Sequence, residues 1–206
     1  MRPSDQKIYL ASKSPRRREL LRQIGVEFEL LLLRDQTGRV ADVTERVLPD
    51  ESPATYVHRV TREKAEAGIE TVRWRRLPSR PVLTADTTVV LGPDIFGKPA
   101  DPAEAMEMLR RLSGRTHQVL TSVAIRRDDE VWQTTQSSDV TFATLSEDTI
   151  RAYCATKEPY DKAGAYGIQG YAATFIEKLA GSYTGIMGLP LFETAQLLKQ
   201  AGLKMP

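Results

Sequence analysis

The sequence predicts an α/β protein built on a mixed sheet. Apolar, β-branched runs alternate along the chain with runs of helical period, and helix starts are marked by a capping residue followed by proline: Ser14-Pro15, Ser52-Pro53 and Asp101-Pro102. Internal repeats and low-complexity tracts are absent, so the elements belong to a folded core and not to an array.

The elements follow in order. Ile8 to Ala11 reads as a short strand that runs into a helix from about Pro15, with Leu20, Leu21 and Ile24 on one face and Gly25 as the stop. Val26 to Leu33 reads as a second strand, and the polar stretch Arg34 to Asp50 as a loop. Ser52-Pro53 opens a helix whose inner line is Tyr56, Val57, Val60 and Ala67, ending near Gly68, and the basic segment Thr71 to Arg80 reads as a loop. Pro81 to Leu91 is β-branched and apolar apart from Asp86, the pattern of a buried strand. Asp101, Pro102 and Glu104 form a capping signature for a helix with Ala105, Met108, Leu109 and Leu112 inward, closed by Gly114. Strands are expected over Gln118 to Arg126, Glu130 to Thr135 and Asp139 to Leu145, the first pair turning at Arg127-Asp128-Asp129. Ser146 caps a helix with Ile150, Tyr153 and Cys154 inward. A Gly- and Tyr-rich stretch, Glu158 to Gly188, holds one strand, Thr174 to Leu179. The last helix follows Pro190 with Leu191, Ala195 and Leu198 at helical spacing.

Composition narrows the function classes. The chain of 206 residues carries 29 basic and 27 acidic side chains, a net charge of +2, so affinity for a polyanion has to be local and nucleic-acid binding is disfavoured. A single cysteine, Cys154, excludes an internal disulfide and a cysteine-rich metal site. The N-terminus has no long apolar core after Arg2, Asp5 and Lys7, and no membrane span is visible, which together predict a cytoplasmic protein.

Local charge is informative at Ser12 to Leu20. Arg16, Arg17 and Arg18 fall in the first helical turn, where the exposed amides already carry partial positive charge; cations there call for an anion such as phosphate, with a solvated basic helix end as the alternative. Asp86 is costly inside an apolar strand unless paired, metal-bound or protonated. Lys64 shares the inner line of its helix with Val57 and Val60, and either snorkels or points into a cleft. Lys98 in FGKPAD and Lys162 in EPYDKAGAY read individually as loop lysines. Asp42 and Glu45, in DVTE, could offer oxygen ligands to Mg²⁺ or Mn²⁺. His58 and His117 lack metal-ligand spacing and are read as structural, and Trp74 among arginines as a surface residue. The glycines of GAYGIQG do not follow the dinucleotide-binding pattern.

LASKSPRRREL, DVTE, ADTTVV, GKP, MLRRLSGRTHQV, DKAGAYGIQG and GLPL, in that order and across nearly the whole chain, closely resemble the Maf family of nucleoside triphosphate pyrophosphatases. The resemblance implies an elongated, twisted mixed sheet of the Maf/ITPase-like kind, with residues 1–206 as one domain of two lobes around a cleft. It also implies a divalent cation, Mg²⁺ or Mn²⁺, and cleavage of a nucleoside triphosphate to the monophosphate and pyrophosphate. By matched position, Asp86 falls at the family's proton acceptor, and Ser12, Arg16, Arg17, Lys64, Lys98 and Lys162 at groups that hold phosphates. Glu45 matches an acid that helps bind metal, a role Asp86 can share. Arg16, Thr87 and Gln169 stand where the subgroup acting on dTTP and UTP differs from the one acting on 7-methyl-GTP, which carries tryptophan, glutamine and glutamate there. Lys13 replaces a small or neutral residue, and Arg34 to Ala41 is longer than the corresponding loop. Two alternatives stay open: the 7-methyl-GTP activity, and a non-catalytic nucleotide or nucleic-acid binder. A homodimer is compatible with the sequence, but no strip of residues marks its interface.

Overall fold

The computed structural model describes residues 6–33, 43 and 45–205. Asp42 of the DVTE motif and the long stretch Arg34 to Ala41 lie outside the described residues. The elements are β1 (Ile8–Leu10), α1 (Pro15–Gln23), β2 (Phe28–Leu30), α2 (Pro53–Trp74), β3 (Val82–Leu91), β4 (Asp94–Phe96), α3 (Pro102–Leu112), β5 (Thr116–Arg127), β6 (Glu130–Phe142), α4 (Glu147–Cys154), β7 (Ile176–Ala180), α5 (Tyr183–Ile186) and α6 (Leu191–Gln200). Short 3-10 turns fill the segment between α4 and β7. No helix among the described residues is long and apolar enough to cross a membrane.

The expected mixed sheet is present, seven-stranded in the order β2-β1-β3-β5-β6-β7, with β4 also paired to β3. β1 is parallel to β2 and β3, and the remaining pairs are antiparallel. The side chains of β3 alternate between faces, as a strand requires. Thr84 and Val90 meet α2, through a 2.9 Å hydrogen bond from Thr84 Oγ1 to the Thr61 carbonyl and through Val57. On the opposite face, Leu83 and Ala85 join a core with Leu20, Leu21 and Leu198, while Val89 joins a second core with Leu109, Leu112 and Ile150. Burial of each such leucine contributes about 2 kcal/mol against the entropy of ordering the chain. Asp86 and Thr87 fall where one core gives way to the other.

Helix starts match the sequence signals. Ser14, Ser52, Asp101 and Ser146 each accept a hydrogen bond from the amide three residues on. The expected inner faces of α3 and α4 are buried, whereas α6 buries Leu197 and Leu198 and leaves Ala195 only half-buried.

Several boundaries differ. α2 runs through Gly68 to Trp74, so the segment expected to be a loop from Thr71 is helical at its start. Gly68 is there for contact and not as a stop: a Cβ on it would lie 2.7 Å from Val82 Cγ1, so the helix accepts a residue that costs about 1 kcal/mol in order to approach β3. β2 is confined to Phe28–Leu30 because β1 offers it only Ile8–Leu10 as partner. Glu130 to Phe142 is one strand, not two, since the polar run Gln136–Ser138 stays in register with Val119–Thr121. β4 was not expected and arises from the Gly92-Pro93 turn after β3. The late strand is shifted to Ile176–Ala180.

Candidate active site

β1 delivers the chain to Ser12 and to the N-terminus of α1. Ser14 Oγ accepts the Arg17 amide, and Ser12 Oγ accepts the Ser14 amide at 3.2 Å, which fixes the entry loop. The Arg17 side chain turns into the molecule. Its Nε donates to the Gly188 carbonyl at 2.8 Å, Nη1 to Ser12 Oγ at 3.2 Å and Nη2 to Thr87 Oγ1 at 3.3 Å. All three acceptors are neutral. Burial pushes the Arg17 pKa down, offset in part by the Asp86 charge, and a guanidinium always remains charged. One N–H on each terminal nitrogen is left for an anion, in the fork that suits phosphate. Arg16 lies more outward, with Nη2 3.9 Å from Asp161.

Asp86, on the α2 side of β3, meets Lys64 projecting from the middle of that helix. Lys64 Nζ is 2.6 Å from Asp86 Oδ1 and 2.8 Å from Glu45 Oε1. Burial raises the Glu45 pKa, but the Lys64 ammonium and its hydrogen bond, with Lys98 and Arg17 beyond, outweigh it and hold the carboxyl below its ordinary range. The segment carrying Glu45 is tied to α2. Arg59 pairs with Glu51 at 2.6 Å and donates to the Arg46 carbonyl at 2.9 Å, and Tyr56 Oη donates to the Glu45 carbonyl at 3.3 Å. Burial and the nearby Asp86 and Glu45 charges push Tyr56 up to about 12, so it stays a phenol.

The third wall is the Gly-rich segment. Lys162 Nζ donates to the Glu158 carbonyl at 2.5 Å and pairs with Asp161. The Glu158 carboxylate accepts from the amides of Tyr171 at 2.9 Å and Ala172 at 3.2 Å and from Tyr153 Oη at 3.0 Å, which holds the turn after Gln169. Two glycines make this possible: a Cβ on Gly170 would meet Glu158 Oε1 at 2.2 Å, and one on Gly167 would meet Lys162 Cε at 2.6 Å. Gly164, at φ 69°, donates its amide to the Gly97 carbonyl at 3.0 Å and so binds this wall to the loop of Lys98.

These walls enclose one cavity of about 1070 Å³, at the upper end of the range of about 300–1,000 Å³ typical of ligand sites. Ser12, Arg16, Arg17, Glu45, Lys64, Asp86, Thr87, Lys98, Lys162 and Gln169, the residues selected from the sequence, all line it. Lys13 lines it too. Gly188, the first residue of GLPL, lines it as well; Tyr56 and Glu158 belong to the same walls but were not selected as site residues from the sequence, since neither is unusual until the fold brings it there.

The cavity opens through a gap in the sheet. On one edge of β3, β1 reaches only Val82 and Leu83 and β4 begins at Val89, so among the described residues no strand pairs with residues 84–88 on that side. The Leu83 carbonyl accepts the Ala11 amide across this edge. Strand alternation therefore directs the backbone groups of Ala85 and Thr87 into the gap as well.

The remaining residues considered from the sequence lie away from these contacts. His117 is buried edge-on against Phe142 and Tyr166, with centroids at 4.9 and 5.4 Å, and desolvation pushes its pKa down to about 4. His58 is exposed, as is Trp74 at the end of α2, outside the cavity lining. Among the described residues no three His, Cys, Asp or Glu side chains cluster as a complete metal site. Asp86 and Glu45 nevertheless converge on a single ammonium. Two hard carboxylate oxygens in that relation suit Mg²⁺ or Mn²⁺ when substrate phosphates and water complete the shell.

The chain is similar to several known proteins along nearly its whole length. A protein from Aromatoleum aromaticum named dTTP/UTP pyrophosphatase is 57% identical over 203 residues, 98% of each chain. Proteins of the same name from Dechloromonas aromatica, 52% identical over 96% of this chain and 98% of its relative, and from Chromobacterium violaceum, 50% identical over all of both chains, are similar. A solved structure, the Staphylococcus aureus Ham1 protein, aligns at a TM-score of 0.48 and 13% identity, covering 92% of this chain and 97% of that one. A family model described as Maf-like protein matches residues 7–201, which takes in every wall of the cavity: the chain belongs to the Maf family.

Proposed function

We propose that the protein hydrolyses dTTP and UTP, with modified pyrimidine nucleotides as further candidates, to the nucleoside monophosphate and pyrophosphate. The observation that carries this reading is the convergence of Arg17, Lys64, Lys98 and Lys162, from four separate stretches of chain, on the cavity that also holds Asp86. The relatives named dTTP/UTP pyrophosphatase, which match essentially end to end, support the substrate class. A basic groove that merely binds nucleotide gains nothing from Asp86, because the carboxylate neutralises Lys64 within the cavity and itself repels phosphates.

In this reading Arg17, Ser12, Lys98 and Lys162 bind the triphosphate and offset the charge that develops on departing pyrophosphate. Asp86 orients a water toward the α-phosphorus and accepts its proton as the water oxygen bonds to phosphorus and the bond to the bridging oxygen of pyrophosphate breaks. Lys64 holds the Asp86 carboxylate in place. Asp86 and Glu45 would hold the divalent cation, which supplies charge neutralisation to the phosphates. Arg16, Thr87 and Gln169 face the nucleoside. The two apolar cores flanking Asp86 correspond to two lobes of one domain.

The test is incubation with Mg²⁺ or Mn²⁺ and a panel of natural nucleoside triphosphates plus 7-methyl-GTP, with products separated by ion exchange. Pyrophosphate with UMP or dTMP is expected. Orthophosphate with a diphosphate would sink the proposal, and salt-sensitive oligonucleotide binding without turnover would favour the binder.

A further inference from the structure

Thr121 belongs to β5, is fully buried, and forms part of no motif. Its Oγ1 lies 2.7 Å from the Gly185 carbonyl oxygen and 3.0 Å from Thr87 Oγ1, and Thr87 Oγ1 lies 3.3 Å from Arg17 Nη2. Only one proton order satisfies these contacts. A carbonyl can only accept, so the single Thr121 proton goes to Gly185. Thr121 must then accept from Thr87, whose own proton is thereby committed. The guanidinium can only donate, so it occupies one Thr87 lone pair. What Thr87 presents to the cavity is its remaining lone pair, an acceptor without a donor.

The anchor of this chain is fixed. Gly185 donates its amide to Ser182 Oγ at 3.0 Å, and a Cβ on it would lie 2.6 Å from Gln136 Oε1, so its carbonyl has little freedom to turn away. The Thr87 amide, directed into the gap on the open edge of β3, sets a donor close to that acceptor.

We propose that Thr121 is a positioning residue that holds Thr87 as an obligate acceptor, and that this polarity selects pyrimidines bearing a ring N3–H, uracil and thymine, over cytosine. The inference rests on the pyrimidine triphosphatase reading above. An imide edge alternates carbonyl, N–H and carbonyl, which complements an acceptor beside a donor. Cytosine also carries a donor beside an acceptor, at N4 and N3, but one ring position over. With the triphosphate held by its own ligands the ring keeps its register, so the N3 lone pair falls against the Thr87 lone pair and both are left unsatisfied in a partly buried site. A site built to receive a hydrogen bond rejects an analogue that cannot supply it far more strongly than shape alone would.

The test compares kcat/KM for UTP and CTP in the wild type, Thr121→Val and Thr121→Ser. Valine keeps the volume and removes both hydroxyl functions, which frees the Thr87 proton to turn into the cavity. The UTP-over-CTP ratio is expected to fall about tenfold or more in Thr121→Val and to be retained in Thr121→Ser. Because both substrates are measured on one preparation, a loss of folded enzyme cancels from the ratio. An unchanged ratio in Thr121→Val overturns the proposal. If that variant does not fold, wild-type turnover of 3-methyl-UTP decides instead: hydrolysis as poor as that of CTP supports it, and hydrolysis at the UTP rate overturns it. Wild-type enzyme that releases no pyrophosphate from UTP or dTTP brings down the pyrimidine triphosphatase reading and this inference with it. Turnover of UTP without preference over CTP overturns this inference alone.

Discussion

Lys64 Nζ stands 2.6 Å from Asp86 Oδ1 and so joins the middle of a central strand to the middle of the helix packed across it. Both side chains are mostly shielded, at 15% and 16% exposure, so neither charge is settled without the other. Asp86→Asn is therefore expected to act twice. It removes the proton acceptor, lowering the rate of pyrophosphate release by about a hundredfold to ten-thousandfold. It also leaves the lysine with Glu45 as its remaining carboxylate, lowering Tm. Turnover that survived the substitution would remove the proton-acceptor assignment.

Arg17→Lys should not behave as a conservative change. An ammonium cannot reach Gly188, Ser12 and Thr87 together and still present a fork to phosphate. KM for UTP is expected to rise about tenfold or more, with a smaller change in kcat. Initial-rate measurements over a range of UTP concentrations decide it, and an unaltered KM would mean that Arg17 does not contact substrate.

Glu158→Gln tests the wall that carries Lys162 and Gln169. The carboxylate accepts from two amides and a phenol, and an amide side chain has only one oxygen with which to replace it. The turn after Gln169 should loosen, so KM rises more than kcat falls and Tm drops. Crystals or NMR spectra showing an undisturbed 167–172 turn, with unchanged KM, would contradict this.

His117 gives the fold a dependence on acid. Its pKa is about 4 when folded and 6.5 when solvated, so between these values the unfolded chain binds a proton that the folded chain does not. Stability is full above pH 6.5 and declines as pH falls toward 4, by up to about 3 kcal/mol at 1.4 kcal/mol per unit. In His117→Phe this part of the slope should vanish, even though the hydrogen bond to Tyr166 is lost and the baseline is lower. Urea titrations at pH 7, 5.5 and 4.5 measure it, and equal slopes in the two proteins would exclude the histidine as the source.

The sequence was most informative where a residue contradicted its surroundings. Arg16 and Arg17 at a helix start, a carboxylate in an apolar strand and a lysine on an inner helix face all line the cavity, since each is costly anywhere else. Capping signals located α1, α2, α3 and α4 at their first residues for a similar reason, because the relevant bonds are local. Errors came where the deciding contact is distant in the chain. Gly68 resembles a stop until Val82 is seen against it, and Gln136–Ser138 resembles a loop until β5 pairs with it. Glu158 and Thr121 escaped notice because their importance lies wholly in the partners that folding supplies.

The break in the ladder along β3 has a consequence for how ligands are received. Most loop-built pockets must be stiffened as they fill, at the expense of chain entropy. Here the backbone groups of Ala85 and Thr87 sit on a strand anchored by β5 from Val82 to Val90 and by β1 and β4 at either end of the gap. A guest that pairs with them takes up rungs already spaced and aligned, and completes the sheet as a missing strand would.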